Sequence, residues 1–355
     1  MDKVTYQKEN MNPQYPHHYW EYPIAIYLFL GGLGGGILFL SWVLSAFVFP
    51  GIDLTQAFML PNFVALIAIA IGLFFLVFEL GQPPVFYFVY TTATSIIKWG
   101  AVLLTIASFA SLFWLLGNWS PAVPVLGFLS VFNFFDGLEG IWLAAAGLSG
   151  FGIMVYTGVM LSTLKAHSFW ATPALPILFT TSALSTACAA IMLSLCGWPG
   201  VVAMSDLIAA EEIHHLLHTL DIILVFAEIT ILFIMILSFK GAGNLTQQRV
   251  ATKWLTGQYA GWFWIGMLCI GLLIPLVCNI SGNALAGTVA CVLVLCGGCL
   301  LRFLCVWSDD RQPLPDENRY YFRLKTAEPG FMTEWYKEAK DLKRGEAWAP
   351  KENLF

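Results

Sequence analysis

Residues 62–80 read NFVALIAIAIGLFFLVFEL, an apolar run whose single charged residue, Glu79, comes at its end. About 20 such residues in helical geometry cross a hydrocarbon core. Seven further runs match it, and the predicted spans are 23–49, 62–80, 97–117, 138–163, 171–196, 214–239, 260–281 and 285–307. The alternating pattern of a membrane barrel strand is missing, and helices satisfy their own backbone hydrogen bonds in lipid. The expected fold is an all-α integral membrane protein with eight transmembrane helices.

Composition agrees with that reading. Hydrophobic residues make up 58% of the 355 and charged residues 11%, with a mean hydropathy of +0.74. A soluble domain carries about a quarter charged residues. The net charge of −5 is segregated and points to no nucleic-acid partner; the partner it does imply is membrane lipid. Connections around 50–60, 118–137, 197–212 and 282–284 contain no Lys or Arg. The other face receives Lys3, Lys8, Lys98, Lys165, Lys240, Arg249, Lys253, Arg302 and the basic tail. Cationic loops stay in the cytoplasm, so both termini are expected there, in the cytoplasmic membrane of a bacterium or archaeon. The first apolar run is too long for the core of a cleavable signal peptide.

The expected organisation is a cytoplasmic segment 1–22, a first four-helix bundle over 23–163, a second over 164–307 and a cytoplasmic tail 308–355. The tail has aromatics and both signs of charge, which suit either a docking segment or a solvated end. Residues 121–137, broken by Pro121, Pro124, Asn133 and Asp136, are expected as a re-entrant or interfacial segment. Gly31-Gly32-Leu33-Gly34-Gly35-Gly36 has no strand before it and is no phosphate loop. Glycines spaced four apart supply close helix packing or room for a flat head group.

Ionisable residues inside a span are costly and mark function by default. Six polar groups converge near the cytoplasmic ends: Glu21, Tyr27, Glu79, Gln82, Lys98 and Tyr156. Beside the glycines Gly31 and Gly35 they outline a candidate pocket; singly, each also reads as an interfacial anchor. A second set, Glu211, His214, His218, Asp221 and Glu228, lies along the sixth span. At 100° per residue these fall within roughly a 100° arc and cover about 25 Å of rise. The stripe reads as a proton conduit or as a buried polar seam, with Asp136 and Glu139 placed to feed it. No two spans offer opposed histidines for a b-type haem. Cys296-Gly-Gly-Cys299 lacks the companion ligands of a metal site. No haem, Fe–S cluster or metal is therefore expected in the chain.

Several stretches resemble the polysulfide-reductase membrane subunit (PsrC/NrfD) family. They are Tyr27-Leu-Phe-Leu-Gly-Gly-Leu-Gly-Gly-Gly36, Glu79-Leu-Gly-Gln-Pro83, Ser95 to Gly100, Tyr156-Thr-Gly-Val-Met-Leu161, Phe179 to Ser185 and Gly297 to Arg302. The likeness covers about residues 18–307; Gln82 stands where the family usually has arginine. It implies two up-and-down four-helix bundles, no prosthetic group in the subunit, and a quinone pocket beside an Fe–S partner. Carried over, Tyr27 and Tyr156 resemble the quinone-side residues of the first and fourth helices.

The expected function is a quinone-reactive subunit of a respiratory redox complex. It takes menaquinone or ubiquinone as substrate and is the quinone oxidoreductase part of a larger enzyme. Its expected partners are a ferredoxin-like Fe–S subunit and a catalytic redox subunit at the cytoplasmic face. Tyr27, Tyr156, Glu21, Gln82, Gly31 and Gly35 would bind the quinone. Glu79, Lys98, Asp221, Glu228 and His218 would handle protons and charge. A passive anchor of a reductase and a proton-coupled secondary transporter stand as alternatives.

Overall fold

The computed structural model describes residues 22–79, 83–92, 95–122, 138–165, 167–195, 207–241, 245–280 and 284–308. Every regular element among them is helical. Eight helices are long and apolar enough to cross a membrane. They are α1 (Tyr22–Val43, continued by a π-helical turn Leu44–Val48), α2 (Thr55–Glu79), α3 (Ile96–Ala122), α4 (Glu139–Ser162), α5 (Ala174–Leu195), α6 (Leu207–Gly241), α8 (π-helical over Trp262–Leu273, α-helical over Ile274–Ile280) and α9 (Ala284–Trp307). A 3-10 helix, Pro83–Tyr90, follows α2, and a short helix α7 (Leu245–Leu255) joins α6 to α8.

The glycine run of α1 explains the packing. Successive helical residues point about 100° apart, so three consecutive glycines address three neighbours. A Cβ on Gly34 would lie 2.7 Å from Ile69 and 2.9 Å from the Ala65 carbonyl of α2. One on Gly35 would lie 2.6 Å from the Gly150 carbonyl of α4, and one on Gly36 2.7 Å from Ala187 of α5. With no side chain there, α1 touches all three helices backbone to backbone and becomes the most enclosed span. Small residues at crossings drive such approach in lipid, where apolar burial gives no gain. The same device recurs in α9, where Gly297 faces Gly271 of α8 and Gly298 faces Thr186 of α5.

These contacts fix direction. Gly152 of α4 meets Leu103 of α3, and Gly100 meets Tyr156, so α3 and α4 run antiparallel. Residues 123–137, most of the segment expected as re-entrant or interfacial, lie outside the described residues. The first four spans pack in ring order α1–α2–α3–α4, with only slight contact between α1 and α3. Spans α5, α6, α8 and α9 pack together, and α1 also meets α5 and α9. The side where α1 begins is called the N face below, and the opposite side the far face.

Lipid-facing surfaces are apolar. Phe226, Phe233, Ile234 and Leu237 of α6 are exposed, as are Phe74 of α2 and Phe109 of α3. Aromatics gather at the N face, with Tyr87, Phe88, Trp99 and Trp262 all exposed, the interfacial position aromatic rings favour. The N-face ends of the last spans are clamped. Trp170 Nε1 donates to the Cys305 carbonyl at 2.9 Å, Tyr259 Oη to the Trp307 carbonyl at 3.2 Å, and Trp254 Nε1 to Ser308 Oγ. Gln247 of α7 donates to the Ser168 carbonyl at 2.7 Å. At the far face Gly51, at φ +91°, turns the chain between α1 and α2. Asp53 Oδ1 then accepts the Thr55 N–H at 3.0 Å at the start of α2.

Two details differ from the expectation. The second and sixth spans begin seven residues earlier than hydropathy alone indicates, at Thr55 and Leu207. Pro61 lies inside α2 without ending it; the helix gives up one backbone bond and the surrounding helices hold it. Arg302, counted above among the loop cations, is inside the protein at 1% exposure, one turn and more before the end of α9.

Candidate functional site

Two tyrosines meet between the N-face ends of α1, α3 and α4. Tyr27 is 1% exposed, and its hydroxyl has no hydrogen-bond partner among the described residues. Its ring rests on two glycines: Cβ positions at Gly31 and Gly72 lie 3.8 and 3.6 Å from its ring carbons. Tyr156 of α4 is 7% exposed and its ring fills the place that a Cβ on Gly100 would need. Among the described residues its hydroxyl donates only to Met160 Sδ, at 3.3 Å, a weak acceptor. The Tyr156 phenol is close enough to Tyr27 to act on it electrostatically. Two buried hydroxyls thus keep nearly all of their hydrogen-bonding capacity, where burial normally demands partners.

Of the remaining pocket residues, Lys98 is half-buried in the first turn of α3, two residues before Gly100. Gly31 lies against Tyr27 and Ile153, whereas Gly35 is taken up by the Gly150 backbone. Glu79 is the last residue of α2, its side chain outside the described set; Glu21 and Gln82 also lie outside it.

The α6 stripe is graded by depth. Glu211 is exposed at the far face, and His214 and His218 are half-buried with rings stacked at 6.4 Å. Asp221 is 1% exposed; it accepts from Ser185 Oγ at 2.7 Å and from Asn279 Nδ2 at 3.0 Å. Glu228, two turns further in, is 4% exposed and lies beside Ser182. Ser182 accepts from Arg302 Nη1 at 2.6 Å. The guanidinium donates to the Phe179 carbonyl at 2.9 Å and lies 4.7 Å over the Phe179 ring. Arg302 therefore faces the buried Glu228, while Asp221 is tied to Ser185, one helical turn from Ser182 on α5, and to Asn279 of α8. Glu139 stands apart from this array, accepting from Thr55 Oγ1 of α2 at 3.1 Å. Asp136 is outside the described residues.

Arg302, Asn279, Ser182 and Ser185 are the members that residue-by-residue reading did not assign. Ser182, Ser185 and Arg302 all stand in stretches already quoted for the family likeness, which is the signal available for them. Among the described residues, no group of three His, Cys, Asp or Glu is arranged to hold a metal ion.

The chain matches the polysulphide reductase NrfD family over residues 10–308. Protein NrfD of Escherichia coli K12 is 29% identical over 315 residues, 81% of this chain and 94% of that protein. The polysulfide reductase C subunit of Wolinella succinogenes is 27% identical over 317 residues, covering 83% and 95%. The NrfD homolog of Haemophilus influenzae is 27% identical over 288 residues, covering 76% and 85%. With eight membrane-spanning helices and a family match over most of its length, the chain belongs to the polysulphide reductase NrfD family, as a multi-pass inner-membrane subunit of a reductase complex.

Proposed function

We propose that this subunit exchanges electrons and protons with a quinone bound at the N face between α1, α3 and α4. The observation that carries the reading is the pair of buried phenols, Tyr27 and Tyr156, one without a partner among the described residues and one holding only a thioether. A quinone head group is flat, with an acceptor oxygen at each end. Glycines at 31, 72 and 100 let the two rings pack directly on helix backbone, and each hydroxyl can donate to a carbonyl oxygen. Lys98, in the first turn of α3, favours the more anionic reduced state, and Glu79 or Glu21 supplies exchangeable protons. Gln82, on the same connection as Glu79, adds a neutral donor.

The quinone takes up two electrons and two protons, or releases them. Electrons pass to or from an Fe–S partner subunit, which in turn serves a catalytic redox subunit. The Wolinella relative is itself named as a component of polysulfide reductase. The lysine and arginine balance of the loops supports a cytoplasmic position for this face, and so for the partners. The α6 seam is proposed as the proton route: His218, Asp221 and Glu228 descend from the far face in order along the helix, the two carboxylates buried. Each charge moved across the membrane is worth about 2.3 kcal/mol per 100 mV. A passive anchor would have no use for two buried phenols left nearly unbonded.

The test is Tyr27→Phe and Tyr156→Phe in the assembled complex. Each loses a hydrogen bond of about 1.5 kcal/mol, so quinone turnover should fall roughly tenfold while subunit assembly holds. Wild-type turnover in both variants would remove the assignment.

A further inference from the structure

A second set of buried polar groups lies in the first four spans, towards the far face, where the chemistry proposed above needs nothing. Ser41 of α1, Asn62 of α2, and Ser111 and Trp114 of α3 are each exposed by 3% or less. The Ser41 and Ser111 hydroxyls, the Asn62 Oδ1 and the Trp114 Nε1 have no hydrogen-bond partner among the described residues.

Their levels follow from the helix contacts. Gly34 faces Ala65 and Ile69 across the antiparallel pair α1 and α2. Seven residues, about two turns, return a helix to the same face, so Ser41 comes opposite Phe58 and Asn62. Gly147 of α4 meets Trp42, which places that same layer near residues 143–147 of α4. Along α3, Gly152 meets Leu103 and the Phe113 and Trp142 rings lie 5.0 Å apart. Ser111 therefore stands level with about Ala145, and Trp114 one turn nearer the far face. All four groups point inward from three helices of the ring, within about one turn of each other.

Ser149 of α4 lies one turn deeper, its hydroxyl donating back to the Ala145 carbonyl at 2.6 Å and keeping its oxygen free to accept. Glu139, bonded to Thr55, marks the far-face end. The set is chemically matched to one ligand. It holds a pure donor (Trp114), a carbonyl acceptor (Asn62) and three hydroxyls, with no charge among them. Those are the partners of bound water, which bridges buried groups too far apart to bond directly and makes about three hydrogen bonds when buried.

We propose that the far half of the first four spans encloses a hydrated chamber, in which bound water links Trp114, Ser111, Asn62 and Ser41 and reaches inward to Ser149. It is separate from the α6 seam, and the water site itself requires no quinone. Ser149 is seven residues from Tyr156 on α4, so the chamber ends about 10 Å short of the phenol pair. Between them lie the close Gly35–Gly150 contact and the buried side chains of Ile153 and Leu104.

Radiolytic labelling with isotopic water, applied to the full-length chain in its complex, tests this. Trp114 should take up label several-fold faster than Trp170, which is equally buried but donates its N–H to a backbone carbonyl. Asn62→Leu should suppress the Trp114 label and lower the unfolding temperature, because it removes an anchor of the water. Equal labelling of the two tryptophans would overturn the proposal. So would an Asn62→Leu protein that unfolds at a higher temperature, since a dry site gains by losing an unpaired polar group.

Discussion

Arg302 carries a charge into the middle of the second set of spans, and its surroundings show how that is sustained. The guanidinium has two good oxygen acceptors, the Ser182 hydroxyl and the Phe179 carbonyl, and an aromatic face below it. Glu228 feels its charge. Removing one partner of such a set strands the other in a medium that cannot solvate it, at a cost of about 3–5 kcal/mol. Asp221 differs in kind: both carboxylate oxygens are held by neutral donors, Ser185 and Asn279. Asp221→Asn keeps the shape and removes the titratable proton. Under the proton-route reading, proton release per electron in reconstituted vesicles should fall well below half of wild type. Electron transfer should change far less. An unchanged ratio would leave the seam as a structural tie between α5, α6 and α8.

Among the helices, α1 is the one on which the others are assembled. Gly34, Gly35 and Gly36 let three neighbours approach within backbone contact, which a side chain at any of them would prevent. Gly35→Ala puts a methyl group against the Gly150 carbonyl, 2.6 Å away, where backbone rather than a flexible side chain must yield. Overpacking of this type costs about 1–3 kcal/mol. Thermal unfolding in detergent should show a lowered midpoint for Gly35→Ala. Gly140→Ala, open on every side, should match wild type. Equal midpoints for the two variants would show that α1 and α4 are not held by this contact. In the sequence the run had two meanings, packing and ligand space. Gly34, Gly35 and Gly36 are used for packing, whereas Gly31 borders the Tyr27 ring.

For the molecule as a whole, sidedness joins the pieces. If the N face is cytoplasmic, a reporter fused after residue 308 should be inaccessible in intact cells, and cysteines placed at Asp53 and Gly140 should react with impermeant reagents from outside. Reversed accessibility would move the partners and the phenol pocket to the other side, leaving the helix packing unchanged. Length and hydropathy were enough to show eight helical spans, because a chain in lipid has no other way to satisfy its backbone over so many apolar residues. The α6 stripe was equally legible, since helical period alone puts Asp221 and Glu228 on one face. Nothing in hydropathy distinguishes Arg302 from a loop cation at a helix end, nor shows that Ser182 bonds to it while Ser185 and Asn279 hold Asp221. Those residues come from three helices distant in sequence, and only packing decides which side chains share a layer. The same holds for Ser41, Asn62 and Ser111: each is an ordinary small polar residue in its own helix, and they become a set only when the glycine contacts fix the register between helices.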